Sequence, residues 1–154
     1  MQTRRDMLFQ SARVAMLLGA AGMLPAGAQA QAAYNAAAFD AKSMPELLKV
    51  LGAAAPAESK DVTLTAPDIA ENGAVVPVGA ATSLPGVKRM LLLVEKNPAV
   101  LTAAFDVSDA IDASFTTRVK MGQSSDVYAV ALLNDGRVLY AKKEVKLTLG
   151  GCGG

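Results

Sequence analysis

From Lys60 onward the chain alternates polar and apolar side chains with a period of two, and turn residues interrupt that alternation at short intervals. Successive side chains of a strand point to opposite faces, so this pattern predicts half-buried strands and leaves little room for helices. Asp61-Val62-Thr63-Leu64-Thr65 is the first such stretch. Asn72-Gly73 follows it, a favoured pair for a turn that needs positive φ. Val75-Val76-Pro77-Val78 is a second strand, and because Pro77 cannot donate to a ladder, an edge or a bulge is expected there. Leu84-Pro85-Gly86 makes another turn, and Met90-Leu91-Leu92-Leu93-Val94 runs apolar without a break until Lys96-Asn97-Pro98. Segments 101–107, 115–121, 127–133 and 137–149 continue the series, with Asn134-Asp135-Gly136 as the hairpin turn between the last two. About seven strands with short turns and no helix between them predict a mainly β protein, an antiparallel β-sandwich spanning residues 60–149.

Upstream, residues 31–59 read as a helical segment and a linker. Residues 31–42 are alanine-rich, with Tyr34 and Phe39 as candidate anchors. Ser43-Met44-Pro45-Glu46 is a capping-box pattern, in which Ser43 and Glu46 are expected to satisfy each other's backbone donors. Pro45 falls in the first turn, where a missing N–H costs nothing. Leu47, Leu48 and Leu51 supply a short apolar face, Gly52 can close the helix, and Pro56 breaks the stretch that follows.

Residues 1–30 have the order of an export signal. Arg4-Arg5 precedes a short apolar stretch, Val14 to Leu24, and Ala28-Gln29-Ala30 offers small residues where a signal peptidase reads. The apolar stretch is too short for an ordinary transmembrane helix, and the arginine pair points to the twin-arginine route into the periplasm. Those residues carry Arg4, Arg5, Arg13 and Asp6, so removing them takes 15 basic and 14 acidic residues to 12 and 13. A nearly neutral protein gives no electrostatic reason to expect nucleic acid or an anionic membrane as a partner. The chain has no histidine, which removes histidine-based triads and imidazole metal ligands. It has one cysteine, and an unpaired cysteine in an exported protein points to a reactive thiol or to intermolecular pairing.

That cysteine, Cys152, stands in Gly150-Gly151-Cys152-Gly153-Gly154, directly after Leu149. Glycines lack a Cβ, so Gly150, Gly151, Gly153 and Gly154 predict a flexible arm of small cross-section that can enter a narrow cleft. Extended, Gly150 to Cys152 spans roughly 10 Å. A free thiol has a pKa of about 8.5 and is mostly protonated near neutrality. Nothing beside Cys152 in the sequence would lower that value, so activation is expected from a partner's active site. Such a division of labour suits a covalent carrier. A structural disulfide to another chain is the alternative. An enzyme in its own right is the weakest reading, because there is neither a histidine nor a second cysteine. A thiocarboxylate carrier of the ubiquitin type fits an all-β pattern poorly.

The chain closely resembles the SoxY family, sulfur-carrier subunits of the bacterial thiosulfate-oxidising system. The resemblance rests on the twin-arginine leader, on Val62-Thr63-Leu64-Thr65-Ala66-Pro67-Asp68-Ile69-Ala70-Glu71-Asn72-Gly73, on Val94-Glu95-Lys96-Asn97-Pro98, and on the C-terminal Gly150-Gly151-Cys152-Gly153-Gly154. It implies an immunoglobulin-like sandwich and a heterodimer with a SoxZ-like subunit. It implies Cys152 as the covalent attachment point, loaded with thiosulfate by a SoxAX-like haem enzyme. A SoxB-like manganese hydrolase and a sulfane dehydrogenase would then process the cargo. Haem and manganese belong to those partners, and this chain is expected to hold no cofactor and to be no enzyme.

Overall fold

In the computed structural model the described residues are 35–148; the expected leader and the glycine arm lie outside them. The elements are α1 (Ala36–Asp40), α2 (Met44–Val50), β1 (Pro56–Glu58), β2 (Val62–Thr65), β3 (Ile69–Ala70), β4 (Val76–Thr82), β5 (Val87–Val94), β6 (Leu101–Asp106), β7 (Ser114–Val119), β8 (Ser125–Leu133) and β9 (Val138–Leu147). One sheet has the order β1-β9-β8-β5-β6, with β3 also paired to β9; the other is β2-β4-β7. The two sheets form a sandwich, as the period-two pattern predicts, and it is immunoglobulin-like, as the resemblance implies. All the long ladders are antiparallel. The short strands β1 and β3 instead join β9 in parallel, an addition that the sequence pattern did not announce. Pro56, read from the sequence as a breaker, begins β1.

The unbroken apolar run in β5 has a plain cause. Met90, Leu92 and Val94 face the space between the sheets, where they meet Val76, Val78, Val127, Ala129 and Ala131. Leu91 and Leu93 face the other way, against Val130, Leu47 and Leu48. A strand dry on both faces has no polar position to alternate with. At Pro77 only β7 pairs with β4, since β2 reaches only Gly79–Thr82, so the proline sits where one flank of the strand is open.

Helix α2 is set by its two ends. Ser43 Oγ accepts from the Glu46 amide at 3.3 Å, and Pro45 lies in the first turn. The reciprocal half of the capping box is shifted by one residue: Glu46 Oε2 accepts from the Lys42 amide at 2.8 Å, not from Ser43. At the C-terminal end Gly52 takes φ +63°, and the Ala53 and Gly52 amides bond to Leu48 O and Lys49 O. That is the Schellman closure, and it needs a residue comfortable in the left-handed region. Leu47 and Leu48 are thereby held on the outer face of the large sheet. Gly86 and Gly136, at the two turns read from the sequence, also have positive φ. Gly73 does not; it is buried, and the reason is steric.

Candidate functional site

The residues expected to carry the chemistry, Cys152 with Gly150, Gly151, Gly153 and Gly154, lie outside the described residues. What is described is the place from which they depart. The end of β9 lies beside the start of β8, since Val145 pairs with Ser125, and the start of β8 in turn lies beside the end of β5, since Val127 pairs with Val94. Beyond Val145 the chain leaves β8 and is gripped from two sides. Strand β3 aligns Ile69 with Lys146 and Ala70 with Leu147. The Lys146 amide donates to Asp68 O at 2.9 Å and the Thr148 amide to Ala70 O at 3.2 Å. Between them the Leu147 amide donates to Ser124 Oγ at 2.8 Å. Three successive amides at the root of the arm therefore have fixed partners.

The sequence motifs converge on this root. In the stretch from Val62 to Gly73, Asp68 Oδ1 pairs with Lys143 Nζ at 2.9 Å, and the same ammonium donates to Ala66 O at 2.7 Å. Exposed ion pairs contribute little energy, but this one fastens the approach to β3 onto β9. Asn72 Oδ1 accepts from the Ala74 amide at 2.9 Å and shapes the following turn. Gly73 lies under the root: a Cβ there would be 2.5 Å from Met121 O and 2.9 Å from Leu147 Cδ1. The Met121 amide donates to Gly73 O at 2.7 Å, so the backbone must pass this close.

The second motif, Val94 to Pro98, forms the neighbouring turn. Asn97 Nδ2 donates to Lys120 O at 2.7 Å, and its Oδ1 accepts from the Gly122 amide at 3.3 Å. Gln123 Nε2 donates to Lys96 O at 3.4 Å, and the Lys96 amide donates to Ser125 Oγ at 3.0 Å. Ser125 is buried, and its hydroxyl donates to Asp126 O at 2.9 Å while accepting from the Lys96 amide, so it is satisfied. Segments 71–74, 96–98 and 120–124 thus form a collar beside the end of β9. The Asn97 and Gln123 side chains tie 96–98 to 120–124, the Met121 amide ties 71–74 to 120–124 through backbone, and Ser124 joins the collar to Leu147. Sequence reading missed Ser124 and the steric role of Gly73. For Ser124, polar and between strands, no local pattern distinguishes this bond from a solvated turn.

The collar holds a strand end in place; it does not gather reactive groups. Among the described residues no group of three or more histidine, cysteine, aspartate or glutamate side chains is placed to hold a metal ion. Nor is any described helix long and apolar enough to cross a membrane. Among the described residues, the titratable group with the large perturbation lies further along the sheet. Burial, reinforced by the nearby Glu95 and Asp126 charges, pushes the Tyr128 phenol up to about 12.

A family model described as sulfur oxidation protein SoxY matches residues 47–152, a span that includes both collar motifs and Cys152. Among solved structures, the sulfur carrier protein SoxY from Chlorobium limicola f thiosulfatophilum is 31% identical, with a TM-score of 0.61. The match covers 68% of this chain and 94% of that one. Superoxide reductase (neelaredoxin) from Ignicoccus hospitalis matches at 18% identity and a TM-score of 0.51, covering 56% of this chain and 80% of that chain. That likeness is one of fold alone. No match was found among curated proteins.

Proposed function

The chain belongs to the SoxY family of sulfur oxidation proteins, and on that footing we propose that it is a carrier of sulfur intermediates whose attachment point is Cys152. The observation that carries this reading is the reach of the family match, which runs from α2 to Cys152. Residues 1–30 act as a twin-arginine-type leader that delivers the protein to the periplasm, and residues 150–154 are the carrier arm.

Loading joins the Cys152 sulfur to the sulfane sulfur of thiosulfate. The thiol proton and two electrons leave, the electrons passing to the haem enzyme, as disulfide-type bond formation requires. Hydrolysis of the terminal sulfur–sulfur bond by water then releases sulfate and leaves a persulfide on Cys152. A sulfane dehydrogenase takes six electrons from the outer sulfur of the persulfide while water supplies three oxygens, giving a cysteine S-sulfonate, and hydrolysis of its sulfur–sulfur bond releases sulfate and restores the thiol. The carrier works as a heterodimer with a SoxZ-like subunit and meets each enzyme transiently. The residues beside Cys152 in the chain, glycines on both sides, offer no activating group, so reactivity is supplied by the partner.

The test is intact-mass analysis of the carrier after incubation with thiosulfate and the partner enzymes. The expected result is a thiosulfate-derived mass gain on the native protein and none on Cys152→Ser. A native protein that stays unmodified in a competent system rejects the reading. A stable, stoichiometric disulfide to another chain in active material, seen on non-reducing electrophoresis, replaces it with a structural role.

A further inference from the structure

We infer that a cleft on the outer face of the large sheet, beside the turn between β8 and β9, binds a small tetrahedral dianion of the sulfate type through Lys88, Arg89 and Arg137. The cleft adjoins the Val87–Leu133 pair, at the end of the sheet opposite the Val145–Ser125 pair that marks the end of β9. The site is separate from the proposed attachment point, and no bond forms or breaks in it.

The cluster of cations originates in a fault in a ladder. Val87 pairs with Leu133 and Arg89 with Leu132, so Lys88 is an extra residue in β5. Val87 and Met90 both face the space between the sheets, although positions three apart fall on opposite faces of a regular strand. The bulge absorbs that mismatch and re-aims the side chains beside it. Lys88 and Arg89, adjacent in the chain, therefore both line the cleft. Arg137 reaches the same cleft from the β8–β9 turn, which is closed by the Leu133 amide donating to Arg137 O at 3.0 Å and by Gly136 at φ +90°. The cavity, about 290 Å³, lies at the lower edge of the range for small-molecule sites, about 300–1,000 Å³.

The donors in this cleft are unspent. Asp106 accepts from Arg89 Nε–H, and Asp135 accepts from Arg137 Nε–H at 2.7 Å, so each guanidinium is held by one edge. Neither carboxylate lines the cleft, and no described group accepts from the terminal Nη amines or from Lys88 Nζ. Asn134, also in the lining, carries a further amide donor. Helix α2 ends against the cleft at Leu51 and Gly52, and free carbonyls at a helix end repel an anion. Those of Leu47, Leu48 and Lys49 are already taken by the amides of Leu51, Ala53 and Gly52. Two guanidinium forks and an ammonium, with no acidic residue in the lining, match the oxygens of a tetrahedral oxyanion by charge and by geometry. Thiosulfate and sulfate, the first reactant and the released product of the proposed cycle, share that chemistry.

The experiment titrates the full chain, carrying Cys152→Ser so that no thiol reacts, with sodium thiosulfate, sodium sulfate and sodium chloride. Ionic strength is matched, because unspecific attraction to surface charge is screened by salt. Calorimetry and backbone amide shifts are read together. At least one dianion is expected to bind saturably at one per chain, with shifts centred on Lys88, Asn134 and Gly136, and chloride is not. The ratio of the two dianion affinities identifies which of them fills the site. Lys88→Gln/Arg137→Gln should weaken binding roughly ten-fold or more, as loss of charged hydrogen bonds does. Lys120→Gln, an exposed charge near the other end of the sheet, should leave it unchanged. If the double variant disturbs the turn, Lys88→Gln alone serves, since its side chain has no described partner to lose, and it too should weaken binding. Shifts that never saturate, an equal response to chloride, or an equal loss in Lys120→Gln overturn the inference. With Cys152 replaced, none of these outcomes depends on whether the chain carries sulfur.

Discussion

Gly73 shows how one missing side chain sets the geometry of a functional terminus. A Cβ at that position would collide with the Met121 carbonyl, which is backbone and cannot rotate away, and with Leu147. Gly73→Ala should therefore destabilise the domain by about 1–3 kcal/mol, the range for overpacking a filled site. Denaturant unfolding would measure it, and amide exchange at Leu147 and Thr148 should quicken as the root loosens. Tyr128 gives a prediction in pH. Its phenol ionises near 10 ordinarily and at about 12 when folded, chiefly because of burial. The unfolded chain thus loses the proton first. The stabilisation is complete below pH 10 and is lost as pH rises from about 10 through about 12. Tyr128→Phe should flatten the fall in unfolding midpoint across that window, and an unchanged slope would contradict the assignment.

Helix α2 is short, so propensity alone would not sustain it in isolation. Its caps fix where it begins and ends, and Leu47 and Leu48 hold it to the outer face of β5 and β8. Leu47 has no exposed surface. Leu47→Ala should cost about 2–5 kcal/mol, as large-to-small changes in closed cores do, and a chemical melt would read it directly. The rate of Cys152 alkylation should not change, because α2 takes no part in the collar. Strand β3 has the opposite balance. Two residues long, it buries little, yet its parallel pairing and the bonds flanking it secure the end of β9. An element this short is placed by its neighbours, which is why its own residues give no strand signal.

Across the whole domain, stability and chemistry are kept apart. The core lies between the two sheets and beneath the helices, while the proposed attachment point follows Thr148, where the described residues end. The collar joins these two parts and transmits position without contributing reactive groups. Much of this was legible in the residues: the period of two, the hairpin at Asn134-Asp135-Gly136, the Gly52 closure and the glycine-flanked cysteine all depend on neighbours within a few positions. The Ser124–Leu147 bond joins residues 23 apart, and the Lys143–Ala66 bond residues 77 apart. No window along the chain contains either. Gly73 was legible as a glycine but not for its reason, since a turn needing positive φ and a backbone passing too close for a Cβ look alike in one dimension.

The order of amino acids alone decided which segments would be the long antiparallel strands, where the helix would start and stop, and that a single thiol would follow the last strand among glycines. These are matters of local conformational preference and of side-chain periodicity, which a linear string records. Only the folded arrangement decided that the Val62–Gly73 stretch and Ser124 would clamp the end of β9 while Val94–Pro98 braces the neighbouring loop, and that β1 and β3 would pair with β9. Those outcomes follow from packing two sheets face to face, a three-dimensional constraint that brings together residues with no relation along the chain.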